Sequence, residues 1–235
     1  MNKVSGSIKE GLTAGIPLVL GYFPVAMAFG LLAKTVNISL MDSCLFSLLV
    51  FAGASQFMAL DLIKAGIAAV DIVLATFLLN LRHLMMSAAL AVRLKETNKA
   101  WLPFIAFGIT DESFSVAALK SGSLNVSYLL ALQGIGYAAW VGGTVAGYLV
   151  GAALPVTLQS SLGIGLYAMF TAIIIPEIKK SVNVLCLATL SGSIYACNYY
   201  LQILPAGWSL IAAIITASLL GVCVLKDGAN KKVQA

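Results

Sequence analysis

The chain has 235 residues, of which 60% are hydrophobic and 10% are charged, and its formal net charge is +5. A soluble domain usually carries charge on about a quarter of its residues, so this composition excludes an ordinary soluble protein. The basic residues lie mostly between apolar stretches and form no arm with interleaved aromatic residues, which argues against nucleic acid as a partner. The composition therefore predicts a protein whose solvent is the lipid bilayer.

Apolar residues recur in stretches whose lengths suit a bilayer core about 30 Å thick. Backbone amides in lipid must be satisfied within their own segment, and few stretches alternate like the strands of a β-barrel, so we expect helices. The eight apolar segments cover residues 11–33, 43–60, 65–92, 100–119, 128–153, 160–176, 182–200 and 203–225. The predicted fold class is all-α, a polytopic transmembrane bundle with about six to eight apolar segments that can include broken or re-entrant helices. We expect residues 1–235 to form a single transmembrane domain.

The first segment begins like a secretory signal peptide, because lysines precede its apolar run and the stretch Ala26-Met27-Ala28 resembles a cleavage site. Pro17 and Pro24 interrupt that run, however, and it continues past Gly30. We therefore expect a first span that is retained rather than cleaved.

The second segment contains one amide side chain, Gln56, among the small residues of the stretch Phe51–Phe57. A buried amide needs partners for its donors and for its acceptor. Alone, this stretch indicates close helix packing.

The third segment is polar on two faces when it is drawn as a helix of about 3.6 residues per turn. One stripe contains Thr76, Asn80, His83 and Ser87, whereas Asp71 and Arg82 lie on the opposite face. A helix that is polar on two faces cannot have lipid on either, so we expect this segment inside the bundle or beside a water-filled path. Ionisable residues within a membrane usually mark function. The alternatives for the arginine are snorkelling to an interface and pairing with a subunit.

Candidate metal and cofactor sites are sparse. His83 is the only histidine, whereas zinc enzymes usually need two or three imidazoles, and it can either titrate or hydrogen-bond within the polar stripe. The four cysteines lie in or beside apolar segments without CxxC spacing, and no P-loop is present. We therefore expect no cofactor.

The fourth segment places polar residues all round a helix at Gly108–Ser113, so we expect the helix to break there. This stretch includes the adjacent carboxylates Asp111 and Glu112. Two carboxylates at membrane depth can bind an ammonium group or carry a proton. The alternative is a short loop at the membrane surface.

The fifth segment carries glycines at every fourth residue, Gly143, Gly147 and Gly151, which form a seam along one helix face. Such a seam allows another helix to approach closely, either as static packing or as a sliding surface. The dipeptide Gly-Tyr at 136–137 also repeats the one at 21–22 in the first segment. This echo is too short to establish a repeat.

Four basic clusters bear on the topology, and the positive-inside rule predicts that all four are cytoplasmic. They are Lys3 with Lys9; Arg93, Lys95 and Lys99; Lys179 with Lys180; and Lys226, Lys231 and Lys232. Three segments separate the first cluster from the second, and three more separate the second from the third, whereas an odd number of spans cannot return to one side. Either one basic loop violates the rule, or the second and fourth segments enter the membrane without crossing it.

Taken in order, these patches resemble the AzlC family, the large subunits of two-component exporters of branched-chain amino acids. The resemblance is strongest in four stretches and looser around Trp140–Thr144. The four stretches are Gly11–Gly30, Phe51–Phe57, Asn80–Met86 and Thr110–Phe114.

The resemblance implies export of valine, leucine and isoleucine, and sometimes methionine, across the cytoplasmic (inner) membrane of a bacterium. It also implies a small membrane partner of the AzlD type. The substrate-site residues that it carries over to this chain are Gln56, Asn80, Arg82, His83, Asp111 and Glu112.

A mechanism that agrees with these residues is alternating access about a site near the membrane midplane. Arg82 would meet the substrate carboxylate and Asp111 or Glu112 the ammonium group, while side chains around Phe51 and Phe57 accept the aliphatic part. We expect proton antiport as the energy source and no enzymatic activity. Two alternatives remain open: a membrane-embedded enzyme that uses His83 with one of the carboxylates, and a non-transporting scaffold subunit.

Overall fold

The computed structural model describes residues 2–94, 98–120, 124–153 and 181–202, together with isolated positions between 155 and 179 and between 204 and 221. The α-helices in this part of the chain are α1 (Asn2–Thr35), α2 (Leu40–Leu49), α3 (Gly53–Lys64), α4 (Ala69–Ala91), α5 (Leu102–Phe107), α6 (Asp111–Leu119), α7 (Val126–Val150) and α8 (Val182–Leu201). Short 3-10 turns follow α4, precede α5 and follow α7. All regular structure in the described residues is helical, which confirms the predicted all-α class.

Four helical stretches are long and apolar enough to cross a bilayer, namely Ser7–Thr35, Ala69–Leu94, Val126–Val150 and Val182–Leu201. They confirm a multi-pass membrane protein, because about 20 apolar residues suffice for one crossing. The predicted segments at 160–176 and 203–225 lie largely outside the described residues. Lys95, Lys180, Cys223 and the last basic cluster also lie outside them.

Contacts divide the chain into two compact units. The first comprises Met1–Leu60 and Asn80–Leu166, and the second comprises Asp61–Leu79 and Tyr167–Ala235. Within the second unit, the rings of Tyr195 and Tyr199 stack along α8 with their centroids 6.3 Å apart. The first unit contains all of the predicted site residues.

Helices α1 and α7 form the frame of the first unit and run in the same direction. Gly11 near the start of α1 lies against Tyr128 near the start of α7, and Gly30 lies against Thr144 further along both helices. Glycine allows this close approach because it has no Cβ.

The glycine seam predicted on α7 lies against α1 of the same chain. A Cβ on Gly143 would come within 2.6 Å of the Phe23 carbonyl oxygen, and one on Gly147 would overlap the backbone of Met27. Gly151 continues the seam further along α1. The close approach predicted from the spacing is therefore correct, and it occurs within the chain rather than with another subunit.

The second apolar segment is a hairpin that enters the first unit from one end and turns back. Phe29 of α1 contacts both Phe46 of α2 and Phe57 of α3, with ring centroids 6.3 and 5.6 Å away. Between them, Phe51 reaches Tyr22, which lies about two turns earlier on α1 near the middle of that helix. The chain thus descends along α1 in α2 and ascends again in α3.

The turn of this first hairpin has an unusual backbone. Phe51 has a φ of 35°, a positive value that a bulky residue rarely adopts. Gly53 then starts α3 where the Trp140 ring would lie 2.6 Å from an added Cβ. The tip of the hairpin therefore combines strain at one residue with a close approach at another.

The fourth apolar segment forms a second hairpin, and the break predicted there is confirmed. Helix α5 ends at Phe107 and α6 begins at Asp111. Thr110 caps α6, because its Oγ1 accepts a hydrogen bond from the Ser113 amide at 3.2 Å while the Ser113 hydroxyl accepts one from the Thr110 amide at 2.9 Å. This reciprocal pair fixes the start of α6 at the turn.

The second hairpin enters from the end opposite to the first. Ile105 of α5 contacts Gln133 and Phe107 contacts Tyr137, so α5 rises along α7. After the turn, α6 descends until Lys120 stands over the Tyr128 ring, with its Nζ 4.5 Å from the centroid.

The base of the second hairpin brings two basic clusters together. The Arg93 guanidinium donates hydrogen bonds to the carbonyls of Ala117 at 2.8 Å and Lys120 at 2.6 Å. Lys120 also pairs with Glu10 near the start of α1. The residues that follow α4 therefore lie at the same end of the first unit as Lys9. This is possible because the second apolar segment, α2 with α3, turns back instead of running the full length of α1. A second segment that enters without crossing was one of the two solutions that the basic clusters allowed.

Candidate functional site

The tips of the two hairpins meet beside the middle of α1 and α7. Phe51 of the first tip and Phe107 of the second have ring centroids 6.3 Å apart. Tyr137 of α7 packs against both rings at 5.1 and 5.8 Å. We call Tyr22, Phe51, Phe107 and Tyr137 the tip cluster. It closes the space between two half-crossing hairpins with aromatic side chains.

The two predicted carboxylates lie in the first turn of α6, next to the tip cluster. Glu112 Oε2 accepts a hydrogen bond from the Tyr22 hydroxyl at 2.7 Å, and that hydroxyl is also hydrogen-bonded to Thr110 Oγ1. The positive end of the α6 dipole favours negative charge at this position. These residues therefore lie beside the middle of α1 rather than at one of its ends.

Arg82 forms an ion pair with Asp111, at 2.8 Å between Nη1 and Oδ2. The two side chains are 36% and 28% exposed, so the pair is partly covered. The Nε of the same guanidinium is buried without a hydrogen-bond partner in the described part of the chain. The arginine is thus paired within its own chain.

The described residues leave most of helix α4 uncovered. Only 6% of the most apolar 18-residue stretch within Ala69–Leu94 is buried. Leu84 and Met85 are largely exposed, whereas Asn80 and Arg82 are directed to the hairpins. Asn80 and Arg82, which lie about 200° apart around a helix, therefore reach different hairpins.

Asn80 and Gln56 both contact residues of the first hairpin. Asn80 Nδ2 donates to Ser55 Oγ at 3.0 Å, while its Oδ1 is buried without a partner among the described residues. Gln56 is fully buried; its Nε2 donates to Ser47 Oγ at 3.3 Å, and its Oε1 accepts from Trp140 Nε1 at 2.8 Å. Both ends of the glutamine amide are engaged, so the side chain locks the hairpin to α7.

His83 lies close to the same charges but makes no hydrogen bond within residues 2–94, 98–120 and 124–153. It is half-buried and near enough to Arg82 and Glu112 for their charges to act on it. No group of three His, Cys, Asp or Glu side chains among the described residues could hold a metal ion. The site is a cluster of charges and aromatic rings.

Sequence reasoning missed Tyr22, which touches both hairpins. Its hydroxyl contacts Glu112, and its ring lies 6.2 Å from that of Phe51. The sequence feature that could have identified Tyr22 is the repeated Gly-Tyr dipeptide. Tyr137 is the tyrosine of the second copy, and it packs on the same Phe51 ring.

Comparisons with known proteins give a consistent group of relatives. The family model described as AzlC protein matches residues 17–154. A membrane protein of Archaeoglobus fulgidus is 36% identical over 220 residues, which cover 92% of this chain and 94% of the relative. The inner membrane protein YgaZ of Escherichia coli is 30% identical, with 81% of each chain covered. The branched-chain amino acid transport protein AzlC of Bacillus subtilis is 24% identical, with 77% of this chain and 72% of the relative covered.

No solved structure matches the chain significantly. The region that matches the family model includes both hairpins, the tip cluster and all six predicted site residues.

Proposed function

Because the chain belongs to the AzlC family, we propose that it is a secondary transporter that exports branched-chain amino acids across the bacterial cytoplasmic membrane. The substrates are valine, leucine and isoleucine, with methionine as a further candidate. The observation that carries this proposal is the meeting of two half-crossing hairpins beside a partly buried ion pair. The name of the Bacillus subtilis relative supports the substrate class.

The Arg82–Asp111 pair suits a zwitterionic substrate. An amino acid brings a carboxylate for the guanidinium and an ammonium group for the aspartate, so it can enter between them without leaving either charge unpaired. The Nε of Arg82 has no hydrogen-bond partner among the described residues, and together with the adjacent Nη2 it can donate two parallel hydrogen bonds to a carboxylate. We assign carboxylate recognition to Arg82 and ammonium recognition to Asp111.

The tip cluster suits the aliphatic side chain of the substrate. Phe51 and Phe107 belong to opposite hairpins and face each other, so an alkyl group between them contacts both tips. Each buried methylene contributes about 0.8 kcal/mol, which favours leucine over alanine by a measurable factor.

The hairpins give each side of the membrane its own gate. They enter from opposite ends of the first unit, whereas α1 and α7 are held together by contacts between glycines and backbone. In this mechanism the α1–α7 pair stays fixed and one tip withdraws at a time.

Proton antiport completes the mechanism. Asp111 and Glu112 supply the carboxylates that exchange a proton as substrate moves, and Tyr22 holds the second of them. The chain has no P-loop, so the proposal draws its energy from an ion gradient rather than from nucleotide hydrolysis. A small AzlD-like membrane subunit completes the transporter.

Counterflow of labelled leucine in proteoliposomes tests this function. Vesicles that contain the chain and its small partner should accumulate label against unlabelled leucine inside, and the chain alone should do so more slowly. Absence of counterflow in the reconstituted pair contradicts the proposal and favours a scaffold. Chemical conversion of a candidate substrate in detergent, without flux, would instead favour an enzyme.

A further inference from the structure

Tyr22 stands where the two hairpins can influence each other. Its hydroxyl donates to Glu112 Oε2 at 2.7 Å and is hydrogen-bonded to Thr110, so it contacts the first turn and the cap of α6. The edge of its ring meets Phe51 at the tip of the first hairpin, with an interplanar angle of 75°. The residue is 5% exposed, so solvent cannot replace these contacts.

A second contact joins Tyr22 to the lock of the first hairpin. Its ring lies 5.8 Å from that of Trp140, at an angle of 87°. The Trp140 indole in turn donates to the amide of Gln56 in the first turn of α3. A movement of the Tyr22 ring is therefore transmitted both to the tip and to the amide that holds α3 against α7.

The hydroxyl has two acceptors and a single proton to donate. When Glu112 is charged it is the stronger acceptor, because charge-assisted hydrogen bonds are about twice as strong as neutral ones. When Glu112 loses its charge, the hydroxyl proton can turn to Thr110 Oγ1, which also accepts from the Ser113 amide. Glu112 faces this hydroxyl from α1 and His83 from α4, while the neighbouring Asp111 pairs with Arg82 of α4.

We propose that Tyr22 is a positioning residue that couples the two hairpins, so that the charge on Glu112 sets the placement of the first tip. The inference rests on the proposed transport function, in which two gates must never open together. Tyr22 touches both hairpins and responds to the charge on Glu112, so it can prevent the two hairpins from opening at the same time.

The fluorescence of Trp140 reads this coupling without any transport measurement. The full chain is placed in lipid nanodiscs with Trp101→Phe and Trp208→Phe, which leave Trp140 as the reporter. Emission spectra are then compared for this background, for Glu112→Gln, for Tyr22→Phe and for both substitutions together. We expect Glu112→Gln to shift the emission maximum, and we expect Tyr22→Phe to reduce that shift by at least about threefold, as for coupled positions in a double-mutant cycle.

The matched control is Tyr137→Phe, which removes a hydroxyl that donates to the Leu48 carbonyl at 2.9 Å in the same region. This control should leave the shift caused by Glu112→Gln intact. Where Glu112→Gln does not fold, Glu112→Asp withdraws the carboxylate from the hydroxyl and enters the same cycle.

Three results would overturn the coupling role. The first is that Glu112→Gln leaves the Trp140 emission unchanged when Tyr22 is intact, and the second is that it shifts the emission equally in the Tyr22→Phe chain. The third is that Tyr137→Phe removes the Glu112→Gln shift as Tyr22→Phe does. Leucine counterflow is measured separately on the unsubstituted pair. A failed transport function and a failed coupling role are therefore distinguishable.

Discussion

Arg82→Lys tests whether the guanidinium fork recognises the substrate carboxylate. Lysine keeps the positive charge beside Asp111, so the ion pair and membrane insertion should persist. It removes the planar fork, and with it the second of two parallel hydrogen bonds to a carboxylate. The structure supplies that second donor in the buried Nε, which has no hydrogen-bond partner in the part of the chain that the structure describes.

The loss can be sized from the energy of one hydrogen bond. A hydrogen bond to a charged group contributes about 1.5–3 kcal/mol, and the 36% exposure of the Arg82 side chain favours the lower value. A loss of about 1.4 kcal/mol weakens binding tenfold. We therefore expect the apparent KM for leucine to rise by about tenfold.

The assay is leucine counterflow over a range of concentrations, with reconstituted protein quantified in each preparation. Arg93→Lys is the matched control, because Arg93 donates to backbone carbonyls at the base of the second hairpin, away from the tips. That variant should leave the apparent KM unchanged. An unaltered KM in Arg82→Lys would remove Arg82 from the substrate site.

Three further predictions follow from the packing, the carboxylates and the topology. Gly147→Ala should destabilise the chain by about 1–3 kcal/mol because a Cβ there overlaps the α1 backbone, whereas Gly142→Ala has open space; equal melting temperatures in detergent would contradict this difference. Glu112→Gln should abolish leucine flux driven by a pH gradient while gradient-free exchange persists, whereas Asp111→Asn, which removes the carboxylate assigned to the ammonium group, should lower both fluxes; full driven flux in both variants and in the double variant would eliminate these carboxylates as the coupling site. Thr97→Cys in a cysteine-free chain should resist an impermeant reagent applied to intact cells and react after lysis, and labelling from outside would reverse the predicted topology.

Much of the site could be predicted because polar residues stand out against an apolar background. Asp111 and Glu112 could not continue a lipid-facing helix, so the break before them followed from the sequence. The count of basic clusters pointed to segments that turn back, and the second segment does so around Phe51. Both inferences used local contrasts in polarity.

Contacts between distant segments could not be predicted in the same way. Tyr22 meets Glu112 across 90 residues of sequence, and a tyrosine inside an apolar helix carries no signal of its partner. The spacing of the α7 glycines indicated that a backbone approaches, but it did not identify α1 as the source. A helical projection of α4 placed Asn80 and Arg82 on opposite faces, but it did not identify Ser55 and Asp111 as the residues that they contact.

The pairing of α1 with α7 also sets the order in which the protein can be assembled during synthesis. The hydrogen bond between Ser7 and Asn125 joins residues 118 positions apart, so α1 enters the membrane long before its glycine-bearing face has a neighbour. Both hairpins likewise need α7, since Gln56 binds Trp140 and Gln133 donates to the Ile105 carbonyl. A nascent chain that ends before α7 therefore has both hairpins but lacks the Gln56–Trp140 and Gln133–Ile105 hydrogen bonds that hold them. The ribosome must release α7 before the two tips can meet.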